Sequence, residues 1–549
     1  MTTFPLKGLG RSGIVRDVAP YNLPLTAWSN GNNVRFENGR VRRAPSFRTI
    51  SDGSDFSADP AFAFGVRPSS GSDYIVYTLD DGSMYTYRSG HVDRTPSGFS
   101  TTTSSEIFTG TVLDDCAYVN RSTDVPYVLT RAGSEFEPLS DYGWSSNDRA
   151  GIIRAFRDYL IFLNVQIGAT VYPTGVRWSD TVDGDGDPPS SFDLASTTNN
   201  AGLNPLPDMS GEILDGLPLK DRFLIYSNSE VWRMRPTTDT SVFTFDKLFD
   251  DEGILATNCV VQVDGLHYVF GEHDIYVTDG LSKRSILENE SGDSTNREFI
   301  FSSMVKERKA NFKVMYDRVL DEVLFFYVSS DGDATYPGTT YPNRIAAYNT
   351  VNKTWSFRDA PSIVGGATLI LTDATAWDDT ATTWDGAGGT WDGGGDSLRT
   401  ALYVIKREDT AVAALPLGSA IYAYDQLGEG STVPAPLDAA VTPAAFVEKE
   451  RIDLDEVFGD TWSYKEVRRL YPQARAFGGA VLDFEVGGSL YPWSEVTYTD
   501  RLSFDPMTAT KVDFRKGGRY LAIRFTVDEP NDFWFSGADI DVVQKGRRG

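Results

Sequence analysis

The chain has 549 residues, with 51 Lys and Arg against 77 Asp and Glu, and therefore a formal net charge of −26. This charge argues against nonspecific adhesion to nucleic acid or to anionic membranes. Two cysteines, Cys116 and Cys259, are too few for a disulfide framework. No apolar run is long enough to span a bilayer, and the N-terminus lacks the apolar core of a signal peptide, so we expect a soluble protein made in the cytoplasm.

The first 50 residues are hydrophilic and predict an extended N-terminal arm followed by a first strand. The stretch GNNVRFENGRVRRAPSF (31–47) is rich in Asn and Gly, and positive charge concentrates there in an otherwise acidic chain. The segment 1–47 has too little apolar character to form its own core, which favours contact with a partner. The arginines concerned are Arg11, Arg16, Arg35, Arg40, Arg42 and Arg43.

Residues 51–430 contain paired apolar strands separated by polar turns, as in YIVYTLDDGSMYTYR (74–88). The second strand of a pair usually carries an aromatic residue. Four-stranded sheets repeated at roughly 40–50 residues are the blades of a β-propeller. The pattern predicts six or seven blades with long inserted loops. The pairs begin near residues 74, 116, 157, 221, 265, 322 and 401.

The last segment, residues 431–549, has longer alternating strands, such as AVLDFEVGG and GRYLAIRFTV. Alternation of this kind predicts a separate β-sandwich, which we call the platform. A Pro- and Ala-rich stretch (423–446) is the predicted connector. The fold class is therefore all-β: a propeller plus a C-terminal sandwich.

The sequence provides little support for an enzyme. No G-x-S-x-G motif occurs. Strand packing and turn polarity account for His267 and His273. Asp183, Asp185 and Asp187 have calcium-loop spacing, but the Gly and Glu that an EF-hand loop needs are absent, so calcium binding there stays open. We predict no catalytic residue, cofactor or metal ligand.

One stretch, AWDDTATTWDGAGGTWDGGG (376–395), repeats tryptophan every seven residues at Trp377, Trp384 and Trp391. Its glycines would each weaken a helix by roughly 1 kcal/mol relative to Ala, so a coiled coil is disfavoured. The stretch predicts repeated short turns between blade strands. Its tryptophans pack on the propeller, contact a subunit or fibre, or touch a gate or ligand.

Several motifs, in this order, resemble those of the tail nozzle family of short-tailed bacteriophages, also called tail tubular protein B or tail hub proteins. The opening LKGLGRSGIVRDVAPYNLPLTAWSNGNNVRFENGRVRRAPSF is similar to the start of that family. RDYLIFLN, VRWSDTVDGDGDPPSSFD and GEILDGLPLKDRFLIYSNSEVWRM follow in the family's order, then GILATNCVVQVDGLHYVFGEHDIYVTDG. VRRLYPQ and GRYLAIRFTVDEPNDFWFSGADIDV resemble the terminal domain. The resemblance covers most of the chain.

The resemblance implies a structural virion protein that is not an enzyme and that is assembled in the host cytoplasm. Its homohexameric ring would extend the DNA channel below the portal and adaptor, hold fibres or tailspikes, and retain DNA until ejection. DNA would pass without sequence-specific binding through a ring carrying −156 (6 × −26). Residues 1–47, with the six arginines, would then wrap a neighbouring subunit or the adaptor. The three tryptophans would form a fibre or gate loop.

A second reading of the sequence is a glycan-binding or glycan-degrading propeller in the tail. Its basis is the set of loops rich in Trp and Asp, because sugars stack on indole rings and hydrogen-bond to carboxylates. Glycosidases use two carboxylates at a fixed separation, and nothing in the sequence selects such a pair. This reading therefore stays an alternative.

Overall fold

The structure is a computed structural model, and almost all of its regular elements are strands. It describes residues 2–51, 56–97, 99, 107–237, 241–289, 292–331, 339–371, 399–408, 418–425, 444–459, 463–477, 479–529 and 531–547. The two described α-helices are α1 (Arg297–Ser303) and α2 (Asp455–Phe458). Short 3-10 helices occur at Pro20–Asn22, Leu139–Tyr142 and Lys306–Asn311.

Forty strands lie within the described ranges. The first five are β1 (Thr2–Lys7), β2 (Asn30–Asn32), β3 (Val34–Glu37), β4 (Arg40–Arg43) and β5 (Ser46–Ser51). The next group is β6 (Pro60–Val66), β7 (Tyr74–Leu79), β8 (Met84–Tyr87), β9 (His91–Asp93), β10 (Phe108–Leu113), β11 (Cys116–Arg121), β12 (Tyr127–Leu129), β13 (Glu137–Pro138), β14 (Arg149–Phe156), β15 (Tyr159–Ile167), β16 (Thr170–Trp178) and β17 (Gly202–Pro205). They are followed by β18 (Asp215–Leu219), β19 (Arg222–Tyr226), β20 (Val231–Pro236), β21 (Phe243–Phe249), β22 (Val260–Val263), β23 (Leu266–Phe270), β24 (Ile275–Thr278), β25 (Lys283–Ser285), β26 (Lys313–Asp317), β27 (Glu322–Tyr327), β28 (Arg344–Asn349) and β29 (Trp355–Asp359). The last are β30 (Ile363–Leu371), β31 (Arg399–Lys406), β32 (Ala420–Asp425), β33 (Ala445–Ile452), β34 (Ser463–Ala476), β35 (Leu482–Ser489), β36 (Thr497–Tyr498), β37 (Leu502–Phe504), β38 (Val512–Gly518), β39 (Tyr520–Val527) and β40 (Phe533–Arg547).

Strands β5 to β32 form a β-propeller. Blades 1 to 6 are the consecutive antiparallel sheets β6–β9, β10–β13, β14–β17, β18–β21, β22–β25 and β26–β29. Blade 7 is made of β30, β31, β32 and β5. The innermost strands of successive blades are neighbours all the way round, from β6 to β30 and back to β6. The predicted all-β propeller is therefore confirmed, and its blade count is seven.

The seven predicted strand pairs correspond to the second and third strands of the seven blades. These second strands are densely buried: β11 and β27 have no exposed residue along their length. A strand buried on both faces is a continuous apolar run, which is easily read from sequence. The innermost strand of each blade lines the axis and has a weaker apolar pattern. The sequence therefore predicts the second and third strands but not the first.

The ring closes by pairing the start of the propeller with its end. β5 runs antiparallel to β32, and Phe47 on β5 packs on Tyr422 and Tyr424, with ring centroids 5.8 and 5.0 Å away. The innermost strands of blades 7 and 1 meet at one parallel bridge, Gly365 to Ala63. A Cβ at Gly365 would lie 2.5 Å from the Ala63 carbonyl oxygen, so the close approach requires glycine.

The platform consists of two sheets that share one apolar core. One sheet contains β3, β4, β40, β34 and β38 in order, with β1 added against β40. The other contains β2, β33, β39, β35 and β36, with β37 added against β35. Trp28 is 1% exposed and packs against Phe525 and Phe535 in this core.

The N-terminal boundary differs from the prediction of an arm over residues 1–50. Strands β1 and β4 pair with β40, β2 pairs with β33, and β3 pairs with β4. Strand β5 belongs to the propeller. The physical reason is that Val34, Phe36 and Val41 alternate with polar residues on the β3–β4 hairpin and are buried. Three apolar residues are too few to make the alternation evident in a hydrophilic segment. The platform thus consists of residues from both ends of the chain, and the predicted boundary near 430 lies outside the described residues.

Candidate functional site at the propeller and platform junction

The platform contacts the propeller at β29, the outermost strand of blade 6. Strands β2 and β3 lie beside β29. The Ile14 amide donates to the Trp355 carbonyl at 3.0 Å, and the Asn33 amide donates to the Phe357 carbonyl at 2.9 Å. The N-terminal segment therefore acts as an additional layer on blade 6, and these main-chain bonds fix its position.

A buried polar network joins the two regions at this junction. The Asp359 carboxylate accepts hydrogen bonds from the side-chain amides of Asn32 and Asn33, each at 2.8 Å, and from Arg344 Nη1 at 3.2 Å. Arg344 is fully buried and also donates to Asp331 at 2.7 Å. Buried charges need partners of opposite charge, because an unpaired buried charge is costly. The network therefore fixes the orientation of the platform on the propeller.

Arg16, one of the six predicted contact arginines, lies beside this network. Its guanidinium stacks 4.0 Å from the Phe299 ring centroid and lies 3.8 Å from the Asp331 carboxylate. It also donates to the Asn30 side chain. These contacts are within the chain, so Arg16 helps to hold the junction together.

Two more of these arginines are used inside the platform. Arg35 and Arg42 both pair with Glu37, and Arg42 also reaches Asp532. Strands β1 to β4 are therefore part of the platform of their own chain. That residues 1–47 also contact a neighbouring subunit or the adaptor stays a prediction.

Arg43 is buried, and Arg11 and Arg40 are exposed. Arg43 donates to the carbonyls of Val527 at 3.3 Å and Glu529 at 2.7 Å, and burial lowers its pKa to about 10. Of the six candidates, only Arg11 and Arg40 lie on the surface, at a cleft between β1 and the β3–β4 turn. These two stay predicted contact residues.

Other candidate residues from the sequence are dispersed. Trp377, Trp384 and Trp391 lie outside the described residues. The three aspartates of the 183–187 turn are exposed. Within the described ranges, no group of three or more His, Cys, Asp or Glu side chains converges as a metal site would.

His267 and the two cysteines are buried in structural surroundings, whereas the His273 side chain is exposed. His267 is buried, with Nδ1 2.7 Å from the Tyr226 hydroxyl and Nε2 2.9 Å from the Pro218 carbonyl. Burial lowers its pKa to about 4, so the neutral ring bridges blades 4 and 5. Burial raises the pKa of Cys116 to about 11 and also raises that of Cys259, which disfavours the reactive thiolate.

A cleft of about 480 Å³ lies at the axis of the propeller. Val112, Val261 and Val314 line it from three innermost strands, and the exposed Arg67 and Arg318 stand at its mouth. Arg67 is 3.7 Å from Asp73 and donates to the Thr368 carbonyl. The axial cleft therefore has an apolar wall, with at least one of its cations already engaged.

No protein-family model and no curated protein matches this sequence. Among solved structures, the chain is similar to the WD40 β-propeller domain of Doa1, with 8% identity and a TM-score of 0.36 over 69% of this chain and 97% of that one. It is also similar to the extracellular domain of the one component system BT4673 from B. thetaiotaomicron, with 12% identity and a TM-score of 0.25 over 56% of this chain and 53% of that one. Likeness at this level says nothing about function, and the propeller assignment stands on the strand pairing. In the part of the chain that the structure describes, no helix has the length and apolar character to cross a bilayer.

Sequence reasoning missed both the junction network and an exposed aromatic pair. Asn32 and Asp359 are 327 positions apart, so no local pattern could place them in contact. Tyr491 and Trp493 follow β35 in the stretch SLYPWSEV, where alternation would assign an aromatic pair to the core. Pro492 interrupts the strand there and was the available indication of a turn.

Proposed function

We propose that this chain is the tail nozzle of a short-tailed bacteriophage. In this proposal it is a structural virion protein whose homohexameric ring extends the DNA ejection channel below the portal and adaptor. The observation that carries the proposal is the ordered set of motifs, from LKGLGRSGIVRDV at the start to DFWFSGADIDV at the end. A single motif of this kind would be weak, because hairpins are common.

The architecture is compatible with this proposal. The resemblance implies a propeller joined to a sandwich platform, and the chain has a seven-bladed propeller whose blade 6 packs on a two-sheet platform. Fold alone does not establish function, since propellers have many unrelated functions. The fold therefore adds support only in combination with the motifs.

The charge gives a physical reason why DNA would pass freely through such a ring. Each copy carries −26, so a ring of six carries a large negative charge. Like charge between a channel wall and the phosphate backbone opposes adhesion, whereas neutralising phosphates with Lys and Arg would make DNA stick. Under this proposal the ring also docks fibres or tailspikes and helps retain DNA until ejection.

Electron microscopy of purified virions tests the proposal directly. Labelling this chain with a small C-terminal tag should place six copies below the adaptor, around the DNA path. Recombinant chain mixed with portal and adaptor should add a ring to that complex. A labelled chain found away from the DNA path, or absent from the virion, would falsify the proposal.

The glycan-binding alternative is not proposed as a second function. Its main support, the stretch with Trp377, Trp384 and Trp391, lies outside the described residues. A glycan array and a depolymerase assay on the full chain measure it separately. Binding or cleavage of a host polysaccharide would favour the alternative over a purely structural role.

A further inference from the structure

An exposed aromatic knob projects from the platform at the turn between β35 and β36. Tyr491 and Trp493 stack with ring centroids 5.3 Å apart and planes 11° apart. Trp493 is 81% exposed and Tyr491 is 49% exposed, and the neighbouring Leu490 is 48% exposed. Aromatic residues contribute most of the free energy in many interfaces, so a contiguous exposed group of this kind indicates a contact surface.

The knob is held in place by buried contacts. Arg451, which is 8% exposed on β33, donates to the Ser489 hydroxyl and to the Ser494 carbonyl on either side of the turn. The Ser494 amide donates to the Tyr491 carbonyl at 3.2 Å, and the Tyr491 amide donates to the Ser494 hydroxyl at 3.2 Å. A preformed turn loses little entropy on binding, which favours its use as a docking element.

A cationic cleft lies elsewhere on the platform, between β1, β40 and the β3–β4 turn. Its volume is about 530 Å³, and a second cleft of about 320 Å³ adjoins it. Lys7, Arg11 and Arg40 line the larger cleft and are exposed. Arg40 already stacks 4.9 Å from the Trp534 ring centroid, while Asp539 is an acid on the same wall. The cleft has room for an indole and an excess of positive charge.

The knob and the cleft lie at opposite ends of the platform. Along β34, Gln473 lines the cleft and pairs with Gly537, whereas Lys465 pairs with Gly518 near the other end. A Cβ on Gly518 would lie 2.6 Å from the amide nitrogen of Ser489, the last residue before the knob. Eight residues of strand separate the two places by roughly 25 Å, so the knob does not reach the cleft of its own copy.

We infer that the knob of one copy docks into the cationic cleft of a second copy of this chain. The indole of Trp493 lies against the Arg40 guanidinium, in the cation–π arrangement that arginine favours. The exposed Glu495, beside the knob, pairs with Arg11 or Arg40. Because two different surfaces meet, the contact is heterologous, as a cyclic ring requires. The inference deepens the proposed function and rests on it for the closure of the ring.

Assembly of the full-length protein tests the contact. Sedimentation velocity or mass photometry should show concentration-dependent association of the wild type. Trp493→Ala and Arg40→Glu should each weaken that association by roughly 30-fold or more, as expected for a central contact residue. The matched control is Met507→Ala, because Met507 is 82% exposed on a different turn of the platform and should associate as the wild type does. Circular dichroism should show each variant folded.

Mixing the two deficient variants gives a sharper test. Trp493→Ala keeps the cleft, and Arg40→Glu keeps the knob, so one copy of each should form a 1:1 pair that grows no further. Unchanged association of Trp493→Ala, no pairing in the mixture, or binding of a host glycan by Trp493 without association of copies would each overturn the inference. If wild-type copies remain monomeric at all concentrations, with or without the adaptor, the inference also fails.

Failure of the docking contact can be distinguished from failure of the proposed function. If tails contain the ring and Trp493→Ala still builds it, the docking inference fails and the nozzle assignment stands. If copies associate through the knob but virions lack the chain, the nozzle assignment fails and the contact stands.

Discussion

The propeller and the platform are built from chain segments of very different sequence separation. Each of blades 1 to 6 is formed by one continuous segment, in which strands that follow one another in the sequence pair side by side. In the platform, β1 pairs with β40 and β2 pairs with β33, across almost the whole chain. Local pairing is formed at low loop-closure cost, whereas distant pairing must wait until both chain ends are present. The propeller is therefore an insertion into the platform.

The chain passes from the platform into the propeller through a short connection. β4 ends at Arg43 in the platform, and β5 begins at Ser46 in blade 7. The same N-terminal segment thus completes the platform core and closes the propeller ring. A change in this segment should affect both regions, whereas a change on an exposed platform turn should affect neither.

The largest effect is expected from Trp28→Ala. Trp28 is 1% exposed between Phe525 and Phe535, so its loss should lower the free energy of unfolding by about 4 kcal/mol. Urea denaturation followed by circular dichroism measures this change. The matched control is Trp493→Ala, which removes an 81% exposed indole and should change the free energy of unfolding by less than about 0.5 kcal/mol. Equal effects of the two substitutions would contradict the N-terminal segment's place in the core.

Next in size is Arg344→Met, at the junction. The substitution leaves the carboxylates of Asp359 and Asp331 without their buried guanidinium, and we expect a loss of about 3 kcal/mol. Urea unfolding monitored by tryptophan fluorescence and by circular dichroism should then show two separate transitions, because the platform is held less firmly on blade 6. The double variant Arg344→Met with Asp359→Asn should recover part of the loss. A single unchanged transition would show that the network does not couple the two regions.

The contrast between the regions also explains what the sequence could predict. Seven buried second strands, such as β11 and β27, produce apolar runs that are visible in any short window. The all-β class and the propeller followed from them. The platform's N-terminal strands were not predicted, because their pairing partners lie hundreds of positions away and their burial depends on only a few alternating residues.

The candidate contact residues illustrate the same limit. Composition located the arginines near the N-terminus, but only the fold separates the buried Arg43 from the exposed Arg40 three positions before it. The exposure of the aromatic pair at the β35–β36 turn also could not be predicted from the sequence, because it depends on where the strand ends. The positive charge of this surface can therefore be predicted from the sequence, whereas its shape depends on the fold.

A smaller effect, confined to the propeller, is expected from Asp317→Asn. Burial, with a further contribution from the Glu322 carboxylate, raises the pKa of Asp317 to about 7. Because its pKa is higher in the folded than in the unfolded state, ionisation destabilises the fold increasingly as the pH rises from about 4 to about 7. A pKa difference of this size between the folded and unfolded states can lower the free energy of unfolding by at most about 4 kcal/mol. We expect Asp317→Asn to raise the free energy of unfolding by about 2 kcal/mol at pH 8. The gain is smaller than the maximum because the amide oxygen accepts the Val319 and Leu320 N–H groups less strongly than a carboxylate does.

Thermal or urea unfolding at pH 8 and pH 4 checks the Asp317→Asn prediction. At pH 4 the wild-type carboxyl is protonated in the folded state, and the gain should disappear. The control Asp183→Asn changes an exposed aspartate and should show no such difference between the two pH values. A gain of equal size at both pH values would mean that burial of charge is not its cause.

The smallest effect is expected from Gly39→Ala in the β3–β4 turn, where Asn38 and Gly39 have φ angles of 50° and 76°. Positive φ at both central positions is typical of a tight type I′ hairpin turn. A Cβ on Gly39 would meet no atom within 4 Å, so the cost is backbone strain alone, about 1 kcal/mol. The control is Gly90→Ala, because Gly90 also faces open space and lacks a positive φ, so that substitution should be neutral or slightly stabilising. The difference between the two variants in urea unfolding therefore isolates the turn geometry that holds Arg40 at the rim of the cleft.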